Sequence, residues 1–325
     1  MTDPVPGDEI RAPRGARTVR APAALHAALR PADPGSARYV LAAERRADPT
    51  RPGAPQLRAL GQVLELSRNP IRNEADREGE RDMEALGTIL MSEIAGTAML
   101  TLMGGGVVAN VVLGKTKGNG GGWLLINFGW GLAVFSGVWV AYKTGAHLNP
   151  AVTIGLATSE AGEYAPGIPI TFGTTIIYFV AEMIGAFLGA ILAWMAYKNH
   201  YDQETDPGAI LGTLSTGPEI RSYGWNLVTE IIATFVLVFV IIMFGNTPHE
   251  LGPLAVALLV LAIGASLGGP TGYAINPARD LGPRLAHAVL PIRHKGGSDW
   301  GYSWVPVVGP MIGGALAGIA SVLYF

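Results

Sequence analysis

Six long apolar stretches follow one another from Leu86 onward, and they dictate the solvent in which this chain folds. They run at about Leu86–Leu113, Trp123–Tyr142, Thr171–Tyr197, Trp225–Phe244, Leu251–Leu267 and Trp304–Phe325. A helix needs about 20 apolar residues to cross a hydrocarbon core of about 30 Å. Five stretches meet that length, and the one starting at Leu251 is short unless "GASLGGPTG" prolongs it. Lipid offers backbone groups no partners, so spanning segments satisfy themselves as helices. Glycine-rich patches such as Gly104–Gly106 and "MIGGALAG" suit close helix packing.

Composition removes several classes of function. The chain is 49% hydrophobic and only 15% charged, with a net charge of −2 and no basic–aromatic pattern, so nucleic acid is excluded as a partner. It has no cysteine, which removes disulfides, thiol catalysis and thiolate metal sites. The six histidines, among them His147, show no close pairing and read as loop or cap residues, so neither a metal nor a cofactor is expected. No nucleophile–base pair stands out, and no catalytic residue is assigned.

Residues 1–84 differ from the rest. They are rich in Pro, Ala and Arg without a sustained apolar period, and read as a disordered or loosely helical tail. A signal peptide fits poorly, because the start is acidic and the Ala-rich stretch contains His26 and ends at Arg30. The plain alternative is a dispensable extension, with the start of translation at Met83 or Met91. The membrane domain is expected over 85–325.

That domain repeats internally. "SEIAGTAML" at 92–100 matches "TEIIATFVL" at 229–237, and each places a Glu, Glu93 or Glu230, at membrane depth. "AEMIGAFLGA" at 181–190 matches "GPMIGGALAG" at 309–318. Asn-Pro-Ala occurs at 149–151 and again at 276–278. The halves are 85–197 and 223–325. The segments that begin with each tripeptide, "NPAVTIGLATS" and "NPARDLGPRLAHAVL", could each make about ten to fourteen helical residues, about half a membrane thickness. Three spanning helices per half is an odd number, so the second half is inverted. The expected fold is an all-α membrane protein with six transmembrane helices and two half-helices in an inverted repeat, an architecture of transport.

Asn is a strong helix N-cap and Pro is favoured at the first helical position. A single Asn149-Pro150-Ala151 would be no more than a helix start. A second, Asn276-Pro277-Ala278, in an inverted repeat brings two half-helix N-termini face to face, each with about half a positive charge. Such a centre repels cations and orients a passing oxygen as acceptor. Arg279 adds a cation in the first turn of the second half-helix, where Val152 occupies the matching place. It reads as a donor in a pore constriction, or else as half of a structural ion pair with Asp280.

These residues resemble the aquaporin (major intrinsic protein) family over about 86–325, and most resemble its glycerol uptake facilitators. "TGAHLNPAVT" and "NPARDLGPR" carry the likeness, with Asp280 in place of the Ser usual in water-selective members. The resemblance implies a right-handed helical bundle and a filter of Arg279, Tyr273, Gly264 and an aromatic on the second helix. By motif that aromatic is Trp130; strict counting gives Gly129. Trp130 and Tyr273 would receive a polyol's CH groups, Arg279 its hydroxyls, and Gly264 would leave room. Helix packing is the plain reading of the two aromatics. Tyr273 stands where Phe is typical, which adds bulk and polarity. The family also implies that Glu93 and Glu230 brace the loops before the half-helices, with His147 and Asp280 as local braces. Glu182, where many relatives have Gln, is a third brace or a pore-side group.

The expected function is a passive channel for glycerol, water and similar small neutral solutes. A mainly water-selective channel is the first rival. An ion- or proton-coupled transporter is another, opposed by the lack of a His–Asp relay at the midplane. A non-conducting scaffold is opposed by the filter set. Arg68, Arg72, Arg77 and Arg81 favour an N-terminus inside, while Lys115 and Lys117 then lie outside against the positive-inside rule. The family implies both termini cytoplasmic, a cell-membrane location and a homotetramer in the lipid bilayer.

Overall fold

The computed structural model describes residues 70–248 and 250–324. The tail expected over 1–84 falls mostly on residues 1–69, outside the described residues. Residues 70–84 belong to the first helix. The elements are α1 (Pro70–Val112), α2 (Gly122–Val140), a 3-10 turn (Tyr142–Thr144), α3 (Pro150–Ala157), the strands β1 (Glu163–Ala165) and β2 (Ile168–Pro169), α4 (Phe172–Ala196), α5 (Lys198–Tyr201), α6 (Pro207–Gly212), α7 (Tyr223–Asn246), α8 (Pro253–Leu267), α9 (Pro277–Val289) and α10 (Val305–Tyr324). The two strands form a small antiparallel hairpin.

Among the described residues five helices are long and apolar enough to cross a membrane: Met83–Val112 of α1, and all of α2, α4, α7 and α10. The apolar helix α8 has 15 residues, about 22 Å at 1.5 Å per residue. The extension through "GASLGGPTG" is not helical past Leu267. Gly268, Gly269 and Pro270 end it, since glycine weakens a helix and proline disfavours a helical residue before it.

Local sequence sets the boundaries. Thr171 caps α4 by accepting from the Thr174 N–H, and the Thr174 hydroxyl in return accepts from the Thr171 N–H. The half-helix α3, with eight residues, is shorter than the ten to fourteen expected. It stops where the Thr158 hydroxyl donates back to the Ile154 carbonyl at 3.0 Å and to Ala315 of α10 at 3.2 Å.

The spanning helices have the polarity of a protein solvated by lipid. Along α4, Ile176, Val180, Ile184, Leu188 and Leu192 are exposed at four-residue intervals. The opposite face buries Ala181, Gly185, Ala186, Gly189, Ala190 and Ala193. Small residues let backbones approach, which is how helices gain contact where lipid is as apolar as leucine. The two halves interlock: α2 packs on α8, α3 packs on α10, and α9 packs on α4. At Gly314 and Gly318 of α10, a Cβ would collide with the backbone of α3 at Ala151 and Gly155. Each half-helix is thus held by the last helix of the other half.

Candidate functional site

The two half-helix N-termini meet. Asn149 and Asn276 are both extended N-caps with Pro at the first helical position. The Asn149 side chain accepts from the Ala151 N–H, and the Asn276 side chain accepts from the N–H groups of Ala278 and Arg279. Their amide nitrogens then cross the junction. Asn149 Nδ2 donates to the Ile275 carbonyl at 2.8 Å, and Asn276 Nδ2 donates to the Leu148 carbonyl at 2.7 Å. One N–H of each amide is spent on the other half, and the second is left at a cavity that both residues line.

The segments before each Asn carry matched backbone strain. Ala146 and Leu148 have φ of 53° and 54°, and Tyr273 and Ile275 have φ of 37° and 44°. Left-handed φ is costly for side chains with a Cβ, most of all for β-branched Ile275. Two buried carboxylates hold both segments. Glu93 accepts from the Thr144 hydroxyl at 2.5 Å and from the N–H groups of His147 and Leu148 at 3.1 and 2.8 Å. Glu230 accepts from the Thr271 hydroxyl at 2.7 Å and from Ala274 and Ile275 N–H at 3.0 and 2.8 Å. With their N–H groups turned outward to carboxylates, these non-helical segments survive at membrane depth and line the cavity.

Glu93→Gln and Glu230→Gln are each expected to lower the melting temperature of the detergent-purified protein. The new NH2 faces a donor, and an orphaned buried N–H costs about 1–3 kcal/mol. Similar shifts are expected from the two, because the bonds match. A Glu230→Gln protein that melts with wild type would show that the carboxylate is replaceable.

The other residues expected as braces make unequal contacts. The His147 ring bonds to the Thr153 hydroxyl at 2.8 Å and stacks on Tyr178 with 4.2 Å between centroids. Thr153 donates to Glu182 at 3.0 Å. Glu182 is fully buried and does not line the cavity. Asp280 does not pair with Arg279. It accepts from Arg284 Nε at 2.8 Å and from the N–H and hydroxyl of Thr216 at 2.7 and 2.6 Å. Sequence reasoning missed Arg284, although its place four residues after Asp280 on a helix is an ion-pair signal.

Two of the cavities among the described residues adjoin one another. The inner one, of about 130 Å³, is lined by Leu100, Val134, His147, Asn149, Val260 and Asn276 among others. The outer one is bordered by Val108, Ser215, Thr216 and Glu219. Trp130, Tyr273 and Arg279 line both, so the neck between them lies at these three side chains. The Arg279 guanidinium lies 3.8 Å from the centroid of the Trp130 ring. Among the described residues Arg279 forms no ion pair. Gly129 packs instead against Val107 of α1. Gly264 lines neither cavity. The room it leaves is filled by the Tyr273 phenol and the Asn127 amide, which a Cβ there would strike.

Known proteins agree with this architecture. The description of the major intrinsic protein family matches residues 81–321. Glycerol uptake facilitator protein 3 of Lactiplantibacillus plantarum is 50% identical over 71% of this chain and 94% of its own. The glycerol uptake facilitator protein of Streptococcus pneumoniae is 51% identical over 70% of this chain and 95% of its own. The X-ray structure of the aquaglyceroporin from Plasmodium falciparum superposes with a TM-score of 0.61 at 30% identity, covering 71% of this chain and 93% of that one. The chain is therefore a multi-pass membrane protein that belongs to the major intrinsic protein family, the aquaporins.

Proposed function

We propose that this protein is a passive channel for glycerol and other small neutral solutes, with some water conduction. The neck of Trp130, Tyr273 and Arg279 carries the reading. It sets an apolar corner beside a guanidinium with no ion pair among the described residues, which suits a molecule with CH groups on one edge and hydroxyls on the other. Relatives that the chain covers almost completely are named glycerol uptake facilitators, and this supports glycerol over water alone.

Exclusion of ions follows from the same groups. Arg279 and the two half-helix N-termini put positive potential on the path. Asn149 and Asn276 each keep one amide hydrogen for a passing oxygen. An oxygen that accepts from both cannot pass a proton along a water chain. Pro150, Ala151, Pro277 and Ala278 start the two half-helices so that these amides face the path. Glu93, Glu230, His147 and Asp280 brace it.

Assembly and placement belong to the same proposal. Each chain carries its own path, so four copies in the cell membrane would hold four pores, with both termini on the cytoplasmic side. The exposed apolar stripes of the spanning helices support burial in lipid and against neighbouring copies.

Stopped-flow light scattering on proteoliposomes tests the reading, with a glycerol gradient for solute and a sucrose gradient for water. Rapid glycerol entry with low activation energy and no dependence on a pH gradient is expected. Arg279→Ala is expected to conduct with poorer choice. A hydrogen bond to a charged group contributes about 1.5–3 kcal/mol, so the preference for glycerol over a methylated solute of similar size is expected to fall by about tenfold or more. Fast water flow with glycerol at the level of empty liposomes would leave a water channel whose neck Tyr273 closes.

A further inference from the structure

One wall of the neck is backed by polar groups that the transport path does not use. Asn127 stands in α2, one turn after Trp123 and one turn before Trp130. It is 1% exposed, and neither its amide oxygen nor its amide nitrogen has a partner among the described residues. The Tyr273 hydroxyl is likewise buried without a partner. Both side chains converge on one place. A Cβ added at Gly264 would stand 2.7 Å from Tyr273 Cζ and 2.9 Å from its Oη, and closer still to Asn127 Oδ1.

The phenol lies in a notch cut by two glycines one turn apart. At Gly268 a Cβ would strike the Tyr273 ring and come within 3.0 Å of Trp123. Trp123 closes the notch, edge-on to Tyr273 at 5.7 Å, and its indole N–H donates to the Gly264 carbonyl at 3.1 Å. Asn127 lines neither cavity, whereas Tyr273 lines both. The amide therefore sits behind the ring, on the side away from the path.

We infer that Asn127 is a positioning residue for Tyr273: its amide draws the phenol hydroxyl into the Gly264–Gly268 notch and so keeps the ring out of the neck. Buried polar groups without partners are costly, and these two face the same point beside Gly264. A ring without that attraction can turn toward the neck it shares with Trp130 and Arg279, where its hydroxyl narrows the path for a three-carbon polyol before it stops water. The notch thus lets a tyrosine occupy a filter position without closing it to polyols. This rests on the channel reading above.

The test is a double-mutant comparison in proteoliposomes, reading the ratio of glycerol to water permeability for wild type, Asn127→Leu, Tyr273→Phe and the double variant. Asn127→Leu is expected to lower the ratio about fivefold, the size of one net hydrogen bond. Tyr273→Phe changes the neck itself and leaves no hydroxyl to place, so its own ratio is the reference for the double variant. The double variant is expected to recover the Tyr273→Phe ratio, because without a hydroxyl the missing amide no longer matters. A purely packing role for Asn127 would give no such rescue. An unchanged ratio in Asn127→Leu, or a double variant as impaired as the single, overturns the inference. If Asn127→Leu is not recovered folded, Asn127→Ser with and without Tyr273→Phe carries the same comparison. Wild type without glycerol flux removes the channel reading itself; wild type with flux and indifferent Asn127 variants removes this inference alone.

Discussion

Arg284→Leu is expected to destabilise this protein by about 3–5 kcal/mol, the range for removing one partner of a buried ion pair. Arg284 is fully buried, and so is Asp280. Its Nε and Nη2 reach Asp280 at 2.8 and 3.0 Å, Nη2 reaches the Thr216 carbonyl at 2.8 Å, and Nη1 reaches the Ser298 carbonyl at 2.8 Å. Leucine fills much of the space but leaves a carboxylate and two carbonyls short of donors. Thr216 and Gly217 border the outer cavity, so the damage is expected to spread to that mouth. Thermal unfolding followed by size-exclusion of the detergent-solubilised protein gives the readout. Arg284→Leu with Asp280→Leu is expected to recover only part of the loss. It removes the unpaired charge but orphans the Thr216 N–H, which Asp280 also holds. Unfolding at the wild-type temperature in Arg284→Leu would mean that water or another cation replaces the guanidinium.

Gly264→Val is expected to cut glycerol permeability by about tenfold or more while water permeability falls less. The helix cannot retreat to admit the new side chain, since α8 is packed on α2 so tightly that a Cβ at Gly131 would come within 2.9 Å of the Ala257 carbonyl. Overpacking of this kind costs about 1–3 kcal/mol, enough to move a ring and too little to unfold the bundle. Tyr273 is the movable part, and the open direction is the neck it shares with Trp130 and Arg279. A factor of ten corresponds to about 1.4 kcal/mol, within that cost. Comparative glycerol and water flux in proteoliposomes decides it. Unchanged glycerol entry would show that the phenol finds a place elsewhere than in the path.

Much of this molecule is legible in one dimension because lipid simplifies the problem. A spanning segment must be a helix, so apolar length alone located α2, α4, α7 and α10 to within a few residues. Asn-Pro is a helix start by the chemistry of its own side chain and ring, so α3 and α9 begin at Pro150 and Pro277 as expected. Internal matching then paired Glu93 with Glu230 and Asn149 with Asn276. What local chemistry could not give was the end of α3, which stops after eight residues against the flank of α10.

Contacts across the inverted halves were decided by tertiary structure alone. Arg279 and Asp280 are neighbours in sequence, yet only Asp280 is ion-paired, with Arg284, because they leave the helix in directions 100° apart. Gly264 reads as empty space in the chain, but folding fills that space with a phenol from the loop before α9 and an amide from α2. Asn127 has no periodicity or motif to single it out within an apolar stretch. Apolar length, helix-start chemistry and the repeat are properties of residues near one another in the chain, so the sequence by itself determined the helices, the two half-helices and their facing N-termini. Which side chains share the neck, and which of them merely hold others in place, depends on close approach between segments more than a hundred residues apart, and only the packed bundle settles that.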